Sequence, residues 1–575
     1  MGSKMAAARQ RPERPRGGWK YLASAAAASA LVVSAASIGA APASLAASAH
    51  RAASPKVGGT LNVVVFPQGS WPDNFNPFSA SALWGTNGFV YEPLLQFIQL
   101  TGRTVPWLAQ SYKWSDKGTV LTMELRKGVT YTNGQPFTSA DVVYTFNLMK
   151  KNPALDTQAV WTFLKSVAAE GPSAVKFTLK KPDISGLYYL GSVEPVPESV
   201  WSKVKNPVTY ANPSPVATGP FRVKTFSPQE YVLTRNPKYW QKGKPYVQNL
   251  AFPAYSSNTS VDLALAQGKV DWAALFAPNI EQTFVRPSPS THHYFFPQGA
   301  PVVLYINNAI YPFNNTAVRQ ALSMAINRQQ ISTIGEYGYE KPANALGIPP
   351  LQNSYVDPAL AQQSKALSTY NPKRALAMLE KLGFHKNSAG QLLTPKGKPF
   401  AFDMNVVSGY TDWVQDTQLM ASELGQIGIK VTVRPLQYAA YYSDMQQGSF
   451  ETSIGWSNSG PNPFYFFNFT MNPSFSAPVG KTASTNFGRF SSPLATRALN
   501  TYNSTANAAA EKAALYQVEQ VWMQQLPALP LLWGAFWNEY STAQFVGWPT
   551  ASNMYTDPGP NDSSAVLTVL NIHQR

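Results

Sequence analysis

The chain has 575 residues, 44% of them hydrophobic and only 13% charged, which is about half the usual charged share of about 25%. With 15 Trp, 28 Tyr and 30 Phe it has ample apolar surface to bury, which excludes a disordered chain; the absence of cysteine excludes disulfides, thiolate metal sites, cysteine nucleophiles and lipid attachment at an N-terminal cysteine. The formal net charge is +16, yet Lys and Arg form no clustered run after residue 49, so no nucleic-acid partner is expected and a generally basic surface near an anionic envelope is. Scarce carboxylates would also suit an acidic external medium, where fewer groups need protonate as pH falls.

Residues 1–20 carry Lys4, Arg9, Arg11, Arg14, Arg16 and Lys20 against Glu13, and residues 21–49 carry no charge. A basic segment, an apolar Ala/Ser-rich segment and small-residue cleavage options at Ala41-Pro42-Ala43 and Ala47-Ser48-Ala49 read as a signal peptide over 1–49. An uncleaved anchor is the alternative, because the uncharged stretch is long enough to span a bilayer. Either way the body is exported and lies outside the cytoplasmic membrane.

Gly58 to Val65 reads as a Gly-led apolar strand, followed by a long loop from Phe66 to Phe78. Leu121, Met123 and Leu125 alternate with Thr122, Glu124 and Arg126, the period of a half-buried strand. Ser115-Asp116-Lys117-Gly118 supplies the turn before it and Asn133-Gly134 the turn after. Thr138 with Asp141 three residues on forms a capping box for a helix carrying Val142, Val143, Tyr144 and Phe146. Val261 to Gln267 reads as a helix stopped by Gly268. Thr316 is placed to cap a helix whose Val318, Ala321, Leu322, Ala325 and Ile326 share one face, with Arg319 and Arg328 outside that stripe. A strand at Phe400–Val407, a helix at Gln415–Ile427 and a strand at Ile429–Val433 form a β-α-β unit that favours parallel pairing.

The segment Val105–Phe146 carries Pro106, Leu108, Ala109, Leu125-Arg126, Gly128-Val129, Asn133-Gly134, Ala140-Asp141-Val142, Tyr144 and Phe146 in one order. Tyr91-Glu92-Pro93-Leu94-Leu95, Ala217 to Phe221, Arg235 to Trp240, Val261 to Asp271, Val318 to Arg328 and Pro527 to Leu532 follow as further ordered words. Together they resemble extracellular solute-binding protein family 5, whose members serve peptide, nickel, oligosaccharide and related ABC importers. The resemblance runs from about residue 57 to about residue 545. It implies an α/β, bilobal periplasmic-binding-protein-like fold of class II type, with an extra subdomain in lobe I and a hinge of two crossing strands. Lobe I is expected over 57–302 and 526–575, with the subdomain at about 92–212, and lobe II over 303–525. The crossing segments are expected near Pro301–Tyr305 and Leu526–Leu532.

In function, the resemblance implies the substrate-binding component of an ABC importer. Such a protein captures a peptide or peptide-like solute between its lobes and delivers it to permease and ATPase subunits, as a monomer and without cofactor, metal or catalytic residues. The peptide binders of the family place an Asp three residues after a Gly-Trp word; here Gly455-Trp456 is followed by Asn458 and Ser459, with Ser459 in the place of the Asp. No Arg stands between Asn405 and Tyr410, where dipeptide binders meet the ligand carboxylate. A zwitterionic dipeptide is therefore a poor fit, and a longer peptide held by its backbone or an oligosaccharide fits better. Trp71, Trp413 and Trp456 are candidates to stack on the ligand, and Asn74, Asn76, Asn307, Asn458 and Ser459 are candidates to bond it.

His292-His293 would point to opposite faces of a strand and so would not share a metal. Gly480-Lys481-Thr482 lacks the glycine of a phosphate loop, since Phe475 stands there, and no Gly-x-Ser-x-Gly elbow occurs. An exported polysaccharide hydrolase, using two facing carboxylates, is the alternative from another class.

Overall fold

The computed structural model describes residues 55–575 except 80, 459 and 506; the segment read as a signal peptide and the candidate Ser459 lie outside the described residues. Two mixed sheets organise the molecule. In the first, seven strands lie in the order His292–Tyr294, Glu539–Ser541, Trp272–Ala274, Gly58–Val65, Val247–Pro253, Glu230–Arg235 and Phe221–Phe226. Gly58–Val65 is central and parallel to both neighbours, and its Leu61, Val63 and Val65 are fully buried, as a strand covered on both faces requires. The second sheet has the order Lys430–Leu436, Ala401–Val407, Thr452–Gly455, Gln298–Ile306 and Ala528–Ala535. Its first two strands are parallel and joined by the helix Thr411–Gln426, the β-α-β unit legible in the sequence, although the helix begins four residues earlier than expected.

A third, four-stranded antiparallel sheet, Ala109–Ser115, Val120–Leu125, Ala174–Leu179 and Leu164–Ala169, belongs to the first lobe. Leu121, Met123 and Leu125 point into its core. The helix Ser139–Lys151 starts where the capping box places it: the Asp141 carboxylate accepts the Thr138 N–H at 2.9 Å and also the Glu198 N–H at 3.2 Å, so the cap fixes a neighbouring segment too. The helix Thr316–Ala325 is capped by Asn315 rather than Thr316, through a 2.9 Å bond from Ala317 N–H.

The chain crosses from the first sheet to the second between Tyr294 and Gln298 and returns between Ala535 and Glu539. The two passages are tied by Phe295 N–H to Asn538 O at 3.0 Å and Phe536 N–H to Pro297 O at 2.9 Å. Gln298–Ile306 and Ala528–Ala535, which contain Pro301–Tyr305 and most of Leu526–Leu532, pair antiparallel over most of their length inside the second sheet. Among the described residues no helix is long and apolar enough to cross a membrane.

Candidate functional site

Between the two sheets lies a cavity of about 930 Å³. From the first lobe its wall takes Phe66, Phe78, Trp84 and Phe276, and from the second Tyr410, Trp413, Trp456 and the helix Tyr438–Gln447. On that helix Tyr438, Tyr441 and Tyr442 sit at i, i+3 and i+4 and share one face; Tyr438 and Tyr442 stack at 6.0 Å with 5° between their planes. Among the described residues lining the cavity there is no Lys, Arg or His, whereas Asp156, Glu340, Asp412 and Asp562 contribute carboxyl groups.

Trp456 is built into this wall by its strand. Gly455 ends the strand Thr452–Gly455, and a Cβ there would lie 2.9 Å from the Tyr441 hydroxyl and 3.1 Å from the Tyr305 ring, so only glycine lets the backbone pass. The Trp456 carbonyl accepts from Tyr305 OH at 2.7 Å. Its indole lies near-parallel to Tyr441 at 5.9 Å and edge-on to Trp413 at 5.3 Å, yet 36% of the residue remains exposed. A large apolar face is thus locked on one side and open to the cleft on the other. Across from it, Phe66 follows the first strand with a φ of 44°, a left-handed conformation unusual for an aromatic residue, and packs edge-on to Trp84 at 6.1 Å and against Tyr410 at 5.8 Å.

Trp413, Trp456 and Asn458 all line the cavity. Asn458 donates to Tyr188 OH of the first lobe at 3.1 Å, so it also ties the lobes. Trp71, Asn74, Asn76 and Asn307 are not in the cavity wall. Trp71 is a core residue whose Nε1 donates to Phe252 O at 2.9 Å. The Asn74 amide is engaged by Ser79 and Ser81, and that of Asn76 by the carbonyls of Pro207 and Tyr210. Asn307 bonds the carbonyls of Gly448 and Phe450, both at 3.0 Å. Each amide holds a turn, which leaves nothing for a ligand. The tyrosine face of Tyr438–Gln447 was not read from the sequence, although its i, i+3, i+4 spacing is a signal that could have found it.

His292 and His293 have separate partners, Phe284 O at 2.9 Å and Thr542 Oγ1 at 3.1 Å. Among the described residues no group of three or more His, Asp or Glu is arranged to hold a metal ion. Burial pushes the Asp412 carboxyl up from its ordinary range, against the pull of backbone N–H groups and of Asn258, whose Nδ2 donates to it at 3.1 Å from the other lobe.

Comparison with known proteins agrees with this geometry. The Thermotoga maritima periplasmic oligopeptide-binding protein, solved with bound mannohexaose, superposes with a TM-score of 0.83 at 26% identity, covering 90% of this chain and 98% of that one. The Bacillus subtilis oligopeptide-binding protein AppA, solved with a nonapeptide, shares the fold with a TM-score of 0.76 at 20% identity, covering 91% and 100%. The nickel-binding periplasmic protein of Escherichia coli K12 is 27% identical over 401 residues, 66% of this chain and 73% of the relative. The peptide transport periplasmic protein SapA of Salmonella typhimurium is 25% identical over 486 residues, 80% and 84%. Residues 103–477 match the family described as bacterial extracellular solute-binding proteins, family 5 middle, and the chain belongs to that family of ABC-transporter solute-binding proteins.

Proposed function

We propose that this protein is the exported receptor of an ABC importer and that its ligand is a neutral oligosaccharide, enclosed between the lobes and handed to a membrane permease unaltered. The observation that carries this reading is the wall of the cleft: half-open Trp456, the three tyrosines of one helix face, Phe66 and Trp84, with no cationic side chain among the described lining residues. Sugar rings present apolar faces to aromatic side chains and hydroxyls to amides and carboxyl groups, and they need no counter-ion. The mannohexaose complex of the Thermotoga maritima relative supports the same class. A peptide of several residues is the second reading. It is favoured by the carboxyl groups of Asp156 and Asp562 in the wall, which could meet an α-ammonium, and by the nonapeptide held in the same fold by AppA.

Isothermal titration of the purified chain with mannohexaose and with a nonapeptide tests the proposal. Stoichiometric binding of mannohexaose, recovered intact by mass spectrometry, is expected. Binding of the nonapeptide alone would overturn the sugar reading, and recovery of shortened sugar would establish the hydrolase instead.

A further inference from the structure

Behind the cleft wall, carboxyl groups gather without cations. The helical turn Ile331–Gly335 leads into Glu336 and then Glu340, and the helix Thr411–Gln426 brings Asp412 and Asp416 against them; all four are buried. Packing is tight, since a Cβ on Gly335 would lie 1.7 Å from Asp416 Oδ1. Neither oxygen of Glu336 and neither of Asp416 meets a donor N–H or O–H, and Glu340 Oε2 is likewise unpartnered. Four acceptor oxygens buried against one another are reconciled when one carboxyl carries a proton and donates it to the other, as the Glu336–Asp416 hydrogen bond requires.

The first lobe adds two more carboxyl groups from its own elements: Asp262 on the helix Asn258–Ala266, whose Oδ1 is unpartnered, and buried Glu539 on the strand Glu539–Ser541. The remaining ionisable groups facing the cluster are Glu423 further along the same helix, the unpartnered Tyr410 hydroxyl and Tyr339. Arg328, beside Glu423, gives its guanidinium to Pro530 O, Ser323 O and Ser323 Oγ, and Lys341, which follows Glu340, gives its ammonium to Gly338 O at 2.7 Å. Two of the cluster's members, Glu340 and Asp412, line the cleft itself. Asp412 also stands at the lobe boundary, held by Asn258 Nδ2 at 3.1 Å beside an Asn258 N–H to Gly409 O bond at 3.4 Å, with Asp262 one turn further along the same helix.

We propose that this cluster is a proton-held latch on the cleft: in acid it is neutral and lets the lobes close, and as the medium approaches neutrality its ionisation drives Asp262 and Asp412 apart across the boundary and opens the cleft. The sign follows from burial. A carboxyl that holds its proton more tightly in the closed form than in the open one favours closure below its ordinary range near pH 4, and that advantage is lost as pH rises through its elevated value. Asp262 is pushed up to about 7, first by burial and then by Asp412. The latch rests on the reading of the cavity as the ligand cleft, but not on which ligand enters it.

The test separates the two. Because the chain has no cysteine, Gln248→Cys on the first lobe and Lys430→Cys on the second, both exposed, can carry spin labels for pulsed dipolar distance measurement in the ligand-free protein. A longer mean distance at pH 7.5 than at pH 4.5 is expected. Asp262→Asn, which removes one of the two charges that repel across the boundary and sits at a site less demanding for folding, should keep the short distance at both pH values. The pair Glu336→Gln/Asp416→Asn, which fixes neutral side chains behind Asp412, should shrink the change by no more than about half, because Asp262 and Asp412 still ionise. Mannohexaose should then bind about tenfold more weakly at pH 7.5 than at pH 4.5. A distance that does not move with pH, or that moves equally in Asp262→Asn and the parent, overturns the latch. A distance that moves while mannohexaose binds at neither pH leaves the latch standing and overturns the sugar.

Discussion

Trp456 and Glu92 mark two ways in which a single residue carries this structure. Trp456 is braced by Tyr441, Trp413 and Tyr438 and leaves one face to the cleft, so its truncation removes ligand contact while the strand beneath keeps its Tyr305 bond. Trp456→Ala should weaken mannohexaose binding at least about tenfold, or about 1.4 kcal/mol, with the melting temperature changed by no more than a few degrees; calorimetry at one pH checks it. Glu92 is the opposite case. It is wholly buried and accepts from Trp107 Nε1 at 2.8 Å, Tyr239 OH at 2.7 Å and Trp240 Nε1 at 3.2 Å, and burial pushes its carboxyl up to about 7. Glu92→Ala would leave three buried donors without an acceptor and should destabilise the fold by about 3 kcal/mol or more, whereas Glu92→Gln, which keeps one acceptor, should lose less; denaturant titration of the two variants gives the order. Trp456 is a candidate in the sequence only through the family resemblance, and the role of Glu92 is not legible there at all. Trp71 and Trp456 are the same residue type in similarly Pro- and Asn-rich surroundings, and only the partner offered by the fold, Phe252 O for one and open cleft for the other, tells them apart.

Elements were legible where the determinants are local and obscure where they are not. The Thr138–Asp141 cap, the alternation of Leu121, Met123 and Leu125, and the β-α-β unit are written in spacings of two to four residues; the first two stand as read, and the third stands with its helix starting four residues earlier. The sheet to which Gln298–Ile306 and Ala528–Ala535 belong is decided by partners about 150 to 240 residues away, and no spacing reports that. The same long-range logic explains Arg319, which falls off the apolar stripe of the helix Thr316–Ala325, and Arg328, which opens the separate turn Arg328–Gln330; both are buried. Arg319 donates to Phe313 O at 2.6 Å, to Gln525 O at 2.5 Å and to Leu526 O at 3.0 Å, closing the C-terminal end of the helix Ala508–Gln525. A guanidinium is suited to this place, since cations favour helix C-termini and its fork reaches several carbonyls at once. Arg319→Met should therefore cost about 2–4 kcal/mol, chiefly by stranding these carbonyls. Hydrogen exchange should show the loss first in the last turn of Ala508–Gln525, and protection unchanged there would remove the capping role.

At the scale of the whole molecule, charge is placed in an unusual way. The described residues form only two ion pairs, Lys176–Glu170 and Arg434–Asp403, both exposed and worth little. Away from the latch, further carboxyl groups are buried without forming an ion pair: desolvation raises Asp183 to about 6, Glu92 to about 7 and Glu519 to about 8. Each binds its proton more tightly in the folded chain than in the unfolded one. The stabilisation is complete below the ordinary carboxylate range near pH 4, declines by up to about 1.4 kcal/mol per pH unit per group as the unfolded chain ionises, and is gone once the folded group ionises between about 6 and 8. Self-repulsion acts the other way, because a chain with 46 Lys and Arg against 30 Asp and Glu becomes still more positive in acid. Guanidinium chloride decides between the two effects, since it is itself a salt and screens surface repulsion to within a few ångströms while leaving buried groups unscreened. The unfolding midpoint in guanidinium chloride should be higher at pH 4.5 than at pH 8, and a midpoint higher at pH 8 would mean that these carboxyl groups ionise in the folded protein with their charges satisfied. A higher midpoint at pH 4.5 would give the acid preference suggested by scarce carboxylates its physical basis in where the remaining ones are buried.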